Sequence, residues 1–524
     1  MPGSAPAASN PEAVLPVIPT ALVEVDVVER WGEGIPAAVP VADIDGEPDL
    51  ETAAENLGVD TATLRALDVS GKAGEVRAVP LSEGRLGWAV GIGDGEPFRW
   101  RTAGGELARA IRARIGDSGG EGADPRDLGE ALDVEYVQFR LPSGVTPELV
   151  SALTLGVALG EYHFRVSARP TPPRVRKVLL VAQPGEDVTR LRETARRARE
   201  WASATSVARD LANAPSNVKS PAWLAETAAA MSGSVTGLNA TVRDEKWLAG
   251  QGFGGVLAVG GGSSRPPRLL ELTWQGSGNG DSGTRHVVLV GKGITFDTGG
   301  ISLKPAEGME MMRTDMAGGG AVIGAMLAIA RLELPVRVTA LVPMAENHVS
   351  GSAYRPGDVV RHYDGTTTEV ANTDAEGRMV MADALGYAVR NHEPDLIVDV
   401  ATLTGAMKVA LGLRTGGVFS SDEKLGERVR DAGRRAGENW WPMPLSEDHA
   451  TDVRGTTADV KQAAQGPGAL MAALFLREFT GELPWAHLDI AGPARADKPY
   501  DEVVAGATGF AARTLVEFVA GLQE

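Results

Sequence analysis

Cysteine is absent from the 524-residue chain. That removes disulfides, thiolate zinc sites, iron–sulfur clusters and thiol nucleophiles together. Histidine is scarce. The residues His163, His286, His348, His362, His392, His449 and His487 fall in no HExxH or similar ligand spacing, so each reads as a core or surface histidine rather than a zinc ligand. No G-x-S-x-G elbow occurs, which leaves a serine triad unsupported. Long hydrophobic runs are missing too. None approaches the roughly 18 residues a membrane helix needs, so a soluble protein is expected. Positive charge comes late and is outnumbered. The first basic residue is Arg30, so the basic region of a secretory signal is lacking and a cytoplasmic location is expected. Lys and Arg number 51 against 69 Asp and Glu, a formal charge of −18, which disfavours non-specific nucleic-acid binding. Aromatics make up 5% of a chain that is 43% hydrophobic, enough apolar material for a large core and two or more domains.

What is present changes character along the chain. Residues 1–20 are Ala, Pro and Ser rich without periodicity and read as a flexible arm. Residues 21–185 mix strand candidates (21–28, 77–81, 87–92, 135–141 and 176–182) with helix candidates (101–115 and 147–160), an α/β domain with no chemical cluster. Residues 186–212 form a basic helical stretch, read as a solvated linker helix. From 213 to 524 the β-α alternation strengthens. Strands are expected at 254–259, 268–274, 286–290, 336–342, 395–400 and 485–490, and helices at 317–332, 377–391, 424–437, 468–479 and 510–522. Alternation of this kind implies a mostly parallel or mixed sheet flanked by helices. Sites in such sheets form beyond the carboxyl ends of the strands. The stretch 276–283 reads as a flexible hairpin connection.

Three segments carry the chemistry. The first is Gly291-Lys292-Gly293-Ile294-Thr295-Phe296-Asp297-Thr298-Gly299-Gly300, a loop after an apolar strand that delivers a Lys and an Asp where glycines let backbone approach a ligand. The second holds Lys304, Met312-Arg313-Thr314-Asp315 and the small-residue helix start at 317–320. Alone, Asp315 reads as a helix N-cap and Lys304 as a solvated lysine. The third is Asn372-Thr373-Asp374-Ala375-Glu376-Gly377-Arg378. Asp374 and Glu376 converge if the chain between them is extended. Arg378 stands at a helix start, against the helix dipole, and so calls for an anion. Four carboxylates without a nearby His point to an oxygen-rich divalent-metal site.

These stretches resemble the leucyl aminopeptidase family of dinuclear metallo-exopeptidases. The resemblance rests on residues 291–305, on the heptad 372–378 and on 485–492 (WAHLDIAG). It runs over most of 205–524, beginning at Arg209-Asp210-Leu211-Ala212-Asn213-Ala214-Pro215. Arg313 and the Gly319-Gly320 pair depart from the family's usual Lys and Ala residues. The resemblance implies one metal on Lys292, Asp297, Asp315 and Glu376, and a second on Asp297, Asp374 and Glu376. Manganese or zinc is expected. It further implies Lys304 acting on the substrate carbonyl, a bicarbonate base held by Arg378, and a homohexamer with the catalytic domains at its centre. Met312, Thr402, Gly405, Ala491 and Ala494 are implied to line the specificity pocket, their neutral character suiting Leu and disfavouring N-terminal Asp or Glu.

The implied reaction is hydrolysis of the N-terminal peptide bond of a peptide by a water bridged between two divalent metals. Charge counting agrees. Two dications offset the four carboxylates, and Lys292 ligates only as the neutral amine, its usual pKa of about 10.4 overridden by the adjacent dication. A dinuclear phosphoesterase would usually bring His or Asn ligands. A non-catalytic or DNA-binding scaffold on the same fold would predict an eroded site, which the intact segments do not show.

Overall fold

The computed structural model describes residues 15–82, 85–117, 136–167, 175–277 and 285–523. Residues 1–14 of the expected arm, Glu135 and most of 276–283 lie outside this set. The architecture is mixed α/β in two layered parts, a smaller N-terminal one and a larger C-terminal one.

The N-terminal sheet runs Glu24–Val28, Lys177–Val181, Tyr136–Arg140, Ala37–Ile44, Leu86–Gly93, Val76–Pro80, with the short Glu47–Pro48 paired off the side. All but Val76–Pro80 and Glu47–Pro48 pair in parallel. The helices Pro97–Asp117 and Pro147–Gly160 bury Trp100, Leu107, Leu153 and Val157 in one core. Leu50–Leu57 and Thr61–Ala66 contribute to a second core with Val39, Val41 and Val79.

The C-terminal sheet runs Asn439–Met443, Thr415–Ser420, Trp485–Asp489, Leu396–Ala401, His286–Gly291, Arg337–Asn347, Arg268–Trp274, Leu238–Arg243. Its four central strands, from Trp485–Asp489 to Arg337–Asn347, are mutually parallel, so their carboxyl ends point the same way. Alternation decides which residues go to which face. Val287 and Leu289 enter one core with the helices Val188–Asn213, Ala317–Arg331 and Ala512–Ala520. Val288 and Val290 enter the other with Gly254–Gly260, Glu376–His392 and Gly468–Arg477. Among the described residues no helix is long and apolar enough to cross a membrane.

Two readings of the sequence are corrected here. Residues 254–259 form the helix Gly254–Gly260, not a strand. Its small residues allow close packing: a β-carbon on Gly255 would stand 2.3 Å from Met379 O, and Asp383 Oδ2 accepts the Val256 N–H at 2.8 Å. The basic helix Val188–Asn213 is not simply a solvated face. Leu191 and Ala195 belong to an N-terminal core, and Ala198 through Ala212 contribute to a C-terminal one. Arg209 is fully buried, donating to the carbonyls of Thr508, Leu159 and Glu502.

Candidate metal centre and active site

The site stands at the carboxyl ends of the parallel strands. His286–Gly291 ends at Lys292, whose N–H is held by Val400 O at 3.0 Å on the neighbouring strand. The chain then steps sideways. Residues read above as a loop form a further strand, Gly293–Asp297, paired with the far end of Arg337–Asn347, so that Asp297 lies opposite Asn347. One passage of chain thus sets Lys292 at the break and Asp297 at the tip. Gly299 and Gly300 follow with φ of 85° and 64°, left-handed values that suit glycine.

Polar clasps draw the third segment onto this edge. Thr373 Oγ1 donates to Gly299 O at 2.7 Å and accepts from Ser302 N at 2.8 Å. Asn347 Nδ2 bridges Asp297 Oδ1 at 2.8 Å and Thr373 O at 3.0 Å. Gln462 accepts the N–H groups of Ala371 and Asn372 and donates to Ala375 O. Asp374 therefore sits in a turn and Glu376 opens the helix Glu376–His392. Convergence comes from this clasped turn rather than from an extended dipeptide. Asp315 is not the expected N-cap either: Met316 holds that position of Ala317–Arg331, and buried Asp315 ends the preceding 3-10 helix Met309–Thr314.

Each lysine ties two carboxylates. Lys292 Nζ lies 2.8 Å from Asp315 Oδ2 and 2.9 Å from Glu376 Oε1, and donates to Thr402 O at 3.1 Å. Lys304 Nζ lies 2.8 Å from Asp297 Oδ2 and also pairs with Asp374 Oδ1. Thr402 Oγ1 donates to Asp315 Oδ1 at 2.8 Å. Burial opposes the charge on both lysines, but the surrounding carboxylates override it and hold both ammonium groups above their usual range. Burial pushes the carboxyls of Asp315 and Glu376 up. Burial and the charge of Glu376 push Asp297 up to about 6, against the pull of both lysines. In direct contact, four acids meet only two ammonium groups, so this cluster is locally short of positive charge.

That deficit fits a cation. Oxygen atoms of Asp297, Asp374 and Glu376 lie within 4.8 Å of one another, a grouping able to hold a metal ion. Glu376 Oε2 is buried without a hydrogen-bond partner. The donor set, carboxylate oxygens with one amine, suits hard or borderline divalent ions.

These residues share one cavity of about 450 Å³. Lys292, Asp297, Asp315, Asp374, Glu376, Lys304 and Arg378 all line it, as do Met312, Thr402, Gly405, Ala491 and Ala494. Arg378 is almost buried. Its Nη1 donates to Gln462 O at 2.7 Å, its Nε has no partner, and burial draws its pKa down to about 10. The sequence reading missed Asn347 and Gln462, which aim the acids without touching the cavity centre. It also missed Lys408 and Arg495, which line the cavity, so the lining is not neutral throughout. Lys408 lies one helical turn beyond Gly405 and Arg495 directly follows Ala494, the one signal that could have found them. Among the described residues no histidine lines the cavity. His487 is a core residue bonded through Nδ1 to Asp399 at 2.6 Å.

Residues 206–516 match the model of the cytosol aminopeptidase family, catalytic domain. The chain belongs to the cytosol aminopeptidase family. It is 41% identical to a probable cytosol aminopeptidase of Mycobacterium leprae, over 92% of this chain and 90% of the relative. It is 44% identical to one of Geobacter sulfurreducens over 72% of this chain and 76% of that protein. The structure of the bottromycin maturation enzyme BotP in complex with Mn superposes with a TM-score of 0.79 at 36% identity, covering 94% of this chain and all of that one (100%). A variant of tomato leucine aminopeptidase superposes at 0.82 with 28% identity, covering 97% and 98% of the two chains. The protein is an aminopeptidase, a hydrolase.

Proposed function

We propose that the protein removes the first residue of peptides with a free N-terminus, favouring Leu and other apolar side chains, by hydrolysis at a pair of divalent metal ions. The single observation that carries this reading is the gathering of Lys292, Asp297, Asp315, Asp374 and Glu376 around one cavity, with oxygens of Asp297, Asp374 and Glu376 within 4.8 Å of one another. In this reading Lys292, Asp297, Asp315 and Glu376 hold one ion, and Asp297, Asp374 and Glu376 the other, with Mn or Zn as the occupants. When bound, such ions supply Lewis acidity, polarise a carbonyl and lower the pKa of water from 15.7 toward about 7.

The chain's own groups do the rest. Lys304 keeps a charged ammonium at the cavity, able to donate to the oxygen on which negative charge grows. Arg378 presents a guanidinium with a free Nε and would hold a bicarbonate ion, which would supply a base. Met312, Thr402, Gly405, Ala491 and Ala494 receive the first side chain. Arm 1–20, N-terminal domain 21–185, linker helix 186–212 and catalytic domain 213–524 assemble as a cytoplasmic homohexamer in this reading. A phosphoesterase or a scaffold without catalysis has no observation in its favour. The test is release of Leu from leucyl amide: activity lost to a chelator and restored by Mn or Zn supports the proposal, and chelator-resistant activity contradicts it.

A further inference from the structure

We propose that Lys408 and Arg495 form a carboxylate-reading end to the first-residue pocket, so that peptides beginning with Glu are substrates as well. This rests on the aminopeptidase reading above. Both residues line the cavity that holds the proposed metal-binding acids. Neither makes an ion pair or a side-chain hydrogen bond among the described residues. Two cations free of acidic partners thus stand in one cavity of a chain whose formal charge is −18.

Their position says which part of a substrate they meet. Lys408 follows Gly405 by three residues on the helix Gly405–Leu411. Residues three apart share a helix face, with a rise of about 4.5 Å between them. Arg495 adjoins Ala494 and opens the short strand Arg495–Ala496. The turn before that strand packs on the end of the helix: a β-carbon on Gly492 would stand 3.7 Å from Lys408 Cα and 2.2 Å from Gly412 O. Both cations thus flank residues assigned to the first side chain, Lys408 beyond Gly405 on its helix and Arg495 beside Ala494. An acid that reaches this far is Glu rather than Asp. Leu fills the neutral part of the pocket and stops short of the cations, which remain hydrated. A Glu carboxylate gains charge-assisted hydrogen bonds there, and its neutral isostere Gln gains weaker ones.

The experiment compares kcat/KM of the metal-loaded enzyme for Glu, Gln and Leu p-nitroanilides, which carry no C-terminal carboxylate. The expected Glu-to-Gln ratio is about tenfold, as one charge-assisted hydrogen bond in place of a neutral one gives. It should fall to about one in the double variant Lys408→Met with Arg495→Met, and the single variant Lys408→Glu should turn the preference toward Lys-first substrates over Gln-first ones. Because the ratio is internal to each variant, a folding defect that lowers both rates does not move it. A ratio of one or less in the native enzyme, or a ratio unmoved in the double variant, overturns the proposal. So does a charge preference seen only for Leu-Leu over Leu-Leu amide, which would assign the cations to a peptide's C-terminal carboxylate. If the metal-loaded enzyme cleaves no substrate, Leu included, the aminopeptidase reading itself falls.

Discussion

A β-carbon on Gly377 would stand 2.5 Å from Lys292 Cε and 2.7 Å from its Nζ. The heptad therefore needs glycine between Glu376 and Arg378 for a reason of space: Lys292 reaches Asp315 and Glu376 by passing over a residue with no side chain. Gly377→Ala should push the Lys292 amine off its partners and lower both metal content and kcat, checked by elemental analysis beside a leucyl-amide assay. The proposed catalytic and ligand roles separate at this scale. Lys304→Ala should depress kcat by about 10² to 10³, the usual cost of a preorganised oxyanion donor, while leaving most of the metal bound. Asp374→Ala should instead lose metal. The reverse pattern, metal lost in the first variant and retained in the second, would exchange the two assignments.

At the scale of elements, the helix Ala317–Arg331 owes its position to glycine as well. A β-carbon on Gly318 would meet Val400 O at 2.1 Å, and Gly319 N donates to Lys292 O at 2.8 Å. Gly318→Ala should force the helix from the sheet and cost about 1 to 3 kcal/mol, as overpacking does, read as a lowered midpoint in urea. The central parallel strands were legible in the sequence because their apolar runs are bounded by turns and separated by helices. Residues 254–259 were not, since GGVLAVG is apolar and short, and a run of that length fits strand or helix until its packing against Glu376–His392 decides. The strand Gly293–Asp297 was hidden for a different reason. Its glycines and its Lys-bearing approach signal a loop, and only pairing with Met344–Asn347 straightens it. The candidate ligands were readable from residue type and family resemblance. Asn347 and Gln462 were not, because a buried amide that clasps two loops carries no spacing signature.

Across the whole molecule, the N-terminal and C-terminal parts are joined by a buried ionic cluster. Glu502 lies 2.9 Å from Arg101 on the helix Pro97–Asp117 and 2.6 Å from Arg513 on the helix Ala512–Ala520. Burial alone would raise its pKa, but Arg101 and Arg513 override it and draw it from the usual 4.5 to about 2. A pKa depressed in the folded state stabilises fully above 4.5 and loses that contribution as pH falls toward about 2. Glu502→Gln removes the anion shared by partly exposed Arg101 and buried Arg513, which keeps Glu438 at 3.5 Å, and should destabilise by about 1.5 to 3 kcal/mol at pH 7. The gap between native and variant proteins should narrow on acidification through this window, followed by urea unfolding at stepped pH. A gap that stays constant down to pH of about 2 would show that the carboxylate is not what joins the parts.

The central claim is that acids and one lysine from separate segments hold two divalent ions in one cavity. Crystals grown with Mn and measured above and below its absorption edge test it most directly. Two anomalous peaks are predicted, both within coordination distance of Asp297 and Glu376, one also touching Lys292 and Asp315 and the other Asp374. A protein that cleaves leucyl amide while showing no peak there, or peaks at other side chains, would contradict it.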